Sequence, residues 1–139
     1  MIEIREHIKT VFEALGIKLK EYKKDNSLHS SSGRSDYFDT YTVDCDDFPQ
    51  ETNDNCITES PSPTLTLYKG NQKRGIKIKG ESITLARDIS SGLIHPRYFK
   101  DGISRVSNAG FTIGELEGNS DVTAIIINLN YELTFPLKG

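Results

Sequence analysis

Apolar and polar positions alternate most regularly near the end of the chain. From Ile125 the odd positions read Ile125, Ile127, Leu129, Tyr131, Leu133, Phe135 and Leu137, while the even positions soon become Asn128, Asn130, Glu132 and Thr134. A strict period of two predicts a long strand with one face in the core. Phe111-Thr112-Ile113 lies before it and Glu117-Gly118-Asn119-Ser120 between, which predicts a hairpin. At the other end, Ile4, Ile8, Val11, Phe12 and Leu15 recur at helical spacing and predict an amphipathic helix over Ile2 to Leu15, stopped by Gly16. Ile17-Lys18-Leu19-Lys20 then alternates apolar with basic, a strand signal that runs to about Tyr22.

The middle of the chain is patterned more loosely. Lys23 to Ser35 is polar and Ser-rich and reads as loop, and Asp36 to Val43, with Tyr37, Phe38, Tyr41 and Val43, favours a strand. Asp44 to Pro63 loses periodicity and collects Asp, Asn, Thr and three prolines, so a long acidic loop is expected there, mobile and dispensable for folding. Leu65 and Leu67 alternate with threonines and Ile76 and Ile78 with lysines, which predicts a hairpin turning through Gly70 to Gly75. Ser82 is placed to cap a helix carrying Leu85, Ala86, Ile89 and Leu93, ended by Pro96. A second short helix is expected to hold Phe99, Ile103 and Val106. The fold class is therefore α+β: a mostly antiparallel sheet against the N-terminal helix and one or two central helices.

The length of 139 residues fits one domain, 1–139, with the acidic loop at about 44–63 as its excursion. Charge position says more than the net charge of -3. From Ser35 to Tyr68 there is no Lys or Arg, while Asp36, Asp39, Asp44, Asp46, Asp47, Glu51, Asp54 and Glu59 are acidic. Lys69, Lys73, Arg74, Lys77 and Lys79 follow at once. Blocks of opposite sign can meet complementary blocks on another copy, or stand as solvated surface. The acidic balance gives no general reason for nucleic-acid affinity. Charges interrupt the N-terminal apolar residues as no signal-peptide core would allow, and no apolar run is long enough to cross a bilayer. Cys45 and Cys56 are expected most simply as free thiols, although a bridge across that loop is sterically possible.

No residue set assembles a catalytic or metal motif. His7, His29 and His95 lack ligand spacing and are expected in surface or capping roles. Asp44-Cys45-Asp46-Asp47 lacks the regular acidic spacing, central Gly and terminal Glu of a calcium loop. Gly70, Gly75 and Gly80 match neither a phosphate-cradling loop nor a dinucleotide fingerprint. Glu21-Tyr22-Lys23 has the Glu-x-Lys form of metal-dependent nucleases but lacks the upstream strand-end Asp that would hold the metal. Ser30 to Ser32, beside His29 and Asp36, has no rigid turn or oxyanion donor for acyl transfer. The expectation is a non-enzyme without a cofactor.

Two stretches carry a resemblance: Ile4-Arg5-Glu6-His7-Ile8-Lys9-Thr10-Val11-Phe12 at the start, and Val122 to Phe135 at the end. In the order of its elements the whole chain resembles the tail terminator, or neck, proteins of tailed bacteriophages. The resemblance implies a structural virion protein, assembled in the host cytoplasm, that forms a homo-oligomeric ring, a hexamer. The ring would cap the tail tube and join it to the head connector, with the tail-tube and head-connector proteins as partners and no membrane. DNA would pass without specific binding, and an acidic lining suits this by repelling phosphates. Asp39, Asp44, Asp46, Asp47 and Asp54 are the candidates for that lining or for a partner surface, and Lys69, Lys73, Arg74 and Lys77 for the subunit interface. The long Asp44 to Pro63 loop and the Ser-rich insertion depart from the family's shorter members. The competing expectation is a small acidic binding or adaptor module that covers a basic protein partner.

Overall fold

In a computed structural model, the described residues are 1–22, 40–53, 55–70, 76–116 and 119–137. Helix α1 spans Ile2–Leu15 and ends where expected, at a left-handed Gly16 (φ 71°). Gly16 and Ile17 return their N–H groups to Glu13 and Phe12, closing the last turn. Strand β1 (Lys20–Glu21) is shorter than the Ile17 to Tyr22 alternation suggested, although Ile17 and Leu19 do pack against the core. β2 (Thr40–Asp44) follows, its expected start at Asp36 lying outside the described residues. The Lys23 to Ser35 loop is outside them too.

The Asp44 to Pro63 stretch is not a loop. It folds as β3 (Gln50–Thr52) and β4 (Cys56–Glu59), an antiparallel pair, and β4 pairs in turn with β7 (Asn119–Pro136) from Cys56↔Pro136 to Glu59↔Leu133. Sequence alternation fails to flag it because β4 is four residues long and half-buried along its length. Pro61 and Pro63 then run along the same edge of β7 and accept its Tyr131 and Leu129 N–H groups at 2.9 and 3.0 Å. Proline has a carbonyl to offer and no N–H, so this edge is bonded in one direction. The chain continues into β5 (Thr64–Gly70), also on β7.

The expected second arm of a hairpin at Ile76 to Lys79 is instead the start of α2 (Ile76–Ile94), six residues before Ser82. β5 is already flanked by β2 and β7, so no edge remains for a further strand. Ser82, Ala86, Ile89 and Leu93 form the buried stripe, and Gly92 admits α1: a Cβ there would lie 2.7 Å from Val11 Cγ1. Pro96–Tyr98 is a single 3-10 turn. The second helix expected around Ile103 and Val106 is the start of β6 (Ile103–Leu116). A bulge at Ser104 puts Ile103 and Val106 on one face three residues apart, which imitates helical spacing.

The result is an α+β fold with a mixed seven-stranded sheet in the order β1-β2-β5-β7-β4-β3, and β6 on the other edge of β7. Ile125, Ile127, Leu129, Tyr131 and Leu133 are buried beneath the helices, together with Ile4, Ile8, Val11, Phe12, Leu65 and Leu67. The odd register of β7 is thus the core register, although Leu137 at its end is exposed. The opposite face carries Thr64, Thr66, Asn128, Asn130 and Glu132. The buried β7 residues from Ile125 to Leu133 have neighbours on both edges of the strand.

Candidate functional site

β2 leaves the sheet at Asp44, and residues 45–49 turn the chain toward β3. This turn stands beside the Ser60-to-Pro63 run that crosses the edge of β7. Between them lies a surface hollow of about 410 Å³ lined by Asp44, Cys45, Asp46, Asp47, Pro49, Ser60, Ser62 and Thr64. The three carboxylate residues are exposed. Cys45 Sγ donates to the Asp47 carbonyl at 3.5 Å, which braces the turn, and Ser60 N–H donates to the Pro49 carbonyl at 2.8 Å, which ties its two walls. Ser62 donates to Asn130 Oδ1 at 2.8 Å across the open face. Gln50 binds Glu59 at 2.7 Å beside it. Acidic and hydroxyl-rich, the hollow offers acceptors to a cationic side chain.

Of the acidic residues singled out in the sequence, Asp44, Asp46 and Asp47 come together here. Asp39 and Asp54 lie outside the described residues. Among the basic candidates, Lys69 is half-buried near the end of β5 and makes an interaction of its own. Lys77 lies in the first turn of α2, while Lys73 and Arg74 are outside the described residues. In the β2–β5 ladder Asp44 is opposite Thr64 and Thr40 opposite Tyr68. Asp44 and Lys69 therefore stand at opposite ends of that ladder, five residue steps or roughly 17 Å apart along the strands. The serine, threonine and proline walls of the hollow were missed because the segment read as loop. The alternating Ser-Pro-Ser-Pro of residues 60–63 was the available signal for an extended edge.

A buried polar pair was missed as well. His7 is not at the surface: it is fully buried, with Nδ1 2.7 Å from the Tyr131 hydroxyl and its ring edge-on to Phe99 and Tyr131. Its Nε2 has no partner among the described residues. Burial, with Lys100 adding repulsion, lowers its pKa to about 4, and burial raises that of Tyr131. Burial likewise pushes Tyr41 up to about 12, the nearby Glu21 adding to it. His95 does cap, accepting the Arg97 N–H at Nδ1 and so fixing the 3-10 turn. His29 lies outside the described residues. No group of three His, Cys, Asp or Glu side chains among the described residues could hold a metal ion. Cys45 and Cys56 are unbridged and half-buried.

No protein-family model matches this chain, and no curated protein matches its sequence.

Proposed function

We propose that this chain is a structural subunit that closes with copies of itself into a ring, of the kind that caps a phage tail tube and joins it to the head connector. The observation that carries this reading is the separation of the acidic turn from Lys69, at which the basic run of the sequence begins. The acidic turn lies at one end of the β2–β5 ladder, and the chain leaves the other end through Lys69 toward Lys77. A ring needs two different, complementary flanks on each subunit, because the contact is head-to-tail. The acidic hollow of one copy offers the complement to the basic run of the next. Carboxylates facing a lumen would also let DNA pass without adhering.

A second reading is favoured by the hollow itself. Its walls of Asp44, Asp46, Asp47, Ser60 and Ser62 would serve an acidic binding module that covers a basic protein partner. Neither reading requires catalysis or a cofactor, and the ring reading places the protein in the virion.

Reversing Lys73, Arg74 and Lys77 to Glu tests the choice. In the ring reading the wild type assembles into closed rings, six subunits being the expected number, at least with its tail partner present. The triple reversal then loses assembly while the subunit keeps its melting temperature, and wild-type assembly weakens with salt because exposed contacts are screened within about 10 Å at 0.1 M. A triple reversal that assembles and joins tails like the wild type makes the basic run solvated surface and sinks the charge-block argument; a wild type that forms no closed assembly, with or without its tail partner, sinks the ring reading.

A further inference from the structure

α1 lies on the sheet as a separable layer. Among the described residues no backbone hydrogen bond joins it to another element: Arg5 N–H returns to Met1, and Gly16 and Ile17 return theirs to Glu13 and Phe12. Two polar contacts leave it. Arg5 Nε meets Glu21 of β1 at 2.9 Å near the surface, and His7 Nδ1 meets the Tyr131 hydroxyl at 2.7 Å in the core. β1 is two residues paired to β2 at the end of the sheet, whereas Tyr131 stands on a strand that is bonded along both edges. If this layer comes loose, α1 moves and β7 stays.

The direction of the buried hydrogen bond follows from its surroundings. Among the described residues the Tyr131 hydroxyl has His7 Nδ1 as its partner, so the hydroxyl proton is satisfied only when Nδ1 accepts it. The neutral ring then carries its own proton on Nε2, which is buried and has no partner among the described residues. A second proton must enter at Nδ1. It reverses the bond, so that Nδ1–H donates and the hydroxyl proton loses its acceptor. It also leaves a cation whose Nε2–H is still unpaired and away from water. Phe99 and Tyr131 pack against the ring, and Lys100 is the charged group that bears on it, with the wrong sign to help. The buried residues of α2 and β6 carry no titratable group. On α1 itself, Glu3 is one turn earlier, with its carboxylate 3.5 Å from the Met1 amino group, and Glu6 and Lys9 are exposed. His95 and Arg97, also exposed, are engaged in the 3-10 turn, where His95 Nδ1 accepts the Arg97 N–H and the guanidinium lies 5.6 Å over the Tyr98 ring.

We infer that the His7–Tyr131 joint is an acid-sensitive latch: a proton taken up by His7 releases α1 from the sheet, while β7 and its neighbours keep their ladders. Release exposes Ile4, Ile8, Val11 and Phe12, so the docked form remains the major one in mild acid. What changes is how often α1 opens. In the released form the imidazole is in water and titrates at its ordinary 6.5, whereas docked it does so only at about 4. Linkage then raises the released population about thirtyfold between pH 7.5 and pH 5. The latch is independent of the head-to-tail contact proposed above.

Amide hydrogen exchange of the whole chain at pH 7.5 and pH 5, resolved by residue and corrected for the intrinsic effect of pH, tests it. The amides of Ile8, Val11 and Phe12 should be less protected than those of Ile127 and Leu129 at both pH values, because α1 opens without β7. At pH 5 the protection of the α1 amides should be about thirtyfold lower than at pH 7.5. His7→Gln keeps a hydrogen-bonding partner for Tyr131 and cannot take up the proton, so in that variant most of the fall should vanish. If His7→Gln fails to fold, the two wild-type comparisons decide. Equal protection of the α1 and β7 amides at both pH values overturns the latch, since α1 then leaves only when the whole chain unfolds. So does α1 protection that is the same at the two pH values, or a fall that survives in a folded His7→Gln.

Discussion

β7 and the 44–63 segment both belong to the sheet, and only one of them announces it. β7 carries five buried side chains at alternate positions, so its pattern accumulates over enough residues to stand above chance. The 44–63 segment reaches the same ladder through four residues of β4 and then two prolines, with most of its side chains exposed or half-buried. What holds it is backbone pairing to β7, and backbone pairing leaves little trace in side-chain hydrophobicity. A strand that brings its own apolar face is visible in the sequence, whereas one that borrows a neighbour's edge is not.

The contrast is broken most forcefully at Leu133, which is fully buried and pairs with Glu59 on one side and Ile103 on the other. Leu133→Ala should cost roughly 2–5 kcal/mol in a urea melt, the range for a truncated buried leucine. Asn130→Ala, one of the exposed even positions, should change little. Equal losses from the two would mean that β7 does not hold one face in the core.

Other parts of the fold were legible to the degree that they carry their own pattern. α1 and its Gly16 stop were readable because the stripe and the left-handed cap are both local features. The fold class, the β6–β7 hairpin and the odd register of β7 followed for the same reason. The start of α2 was missed because Ile-Lys-Ile-Lys satisfies a strand period over only four residues, and it took the occupied edges of β5 to decide. The second central helix was a bulge in disguise, since one extra residue at Ser104 turns a period of two into a spacing of three. The acidic members of the candidate site were visible as charge. Its walls, and the burial of His7, depended on pairings between distant segments.

The second test is sharper on the borrowed side of the comparison. Ile57 is opposite Phe135, and the odd positions of β7 turn their N–H groups toward this edge, so Ile57 is one of the β4 residues bonded to β7. Ile57→Pro deletes that N–H and should destabilise the fold by roughly 3 kcal/mol, the lost bond and the ring's misfit together. If the segment were the dispensable loop that its composition suggests, the variant would melt with the wild type. Calorimetry or a denaturant titration would separate the two results.

The smallest effect is expected where the N-terminal helix meets β7, at the buried His7 and Tyr131 pair. Unfolded, His7 takes up a proton near its ordinary pKa of 6.5; folded, it does so only at about 4, because burial penalises the imidazolium and Lys100 repels it. Between those values the unfolded chain holds more protons than the folded one, so stability is complete above about 6.5 and falls as the pH drops toward 4. At pH 5 the loss from this residue should be about 2 kcal/mol relative to pH 7.5, since each unit of pKa difference is worth about 1.4 kcal/mol. His7→Gln keeps a group able to hydrogen-bond the Tyr131 hydroxyl and removes the titration. Its stability at pH 7.5 should be somewhat lower than the wild type's, but the drop between pH 7.5 and 5 should be smaller by that same amount. Urea melts of both proteins at the two pH values measure the difference directly. Equal drops would show that the acid sensitivity of the fold comes from its carboxylates, and that His7 is protonated in the folded chain as readily as in the unfolded one.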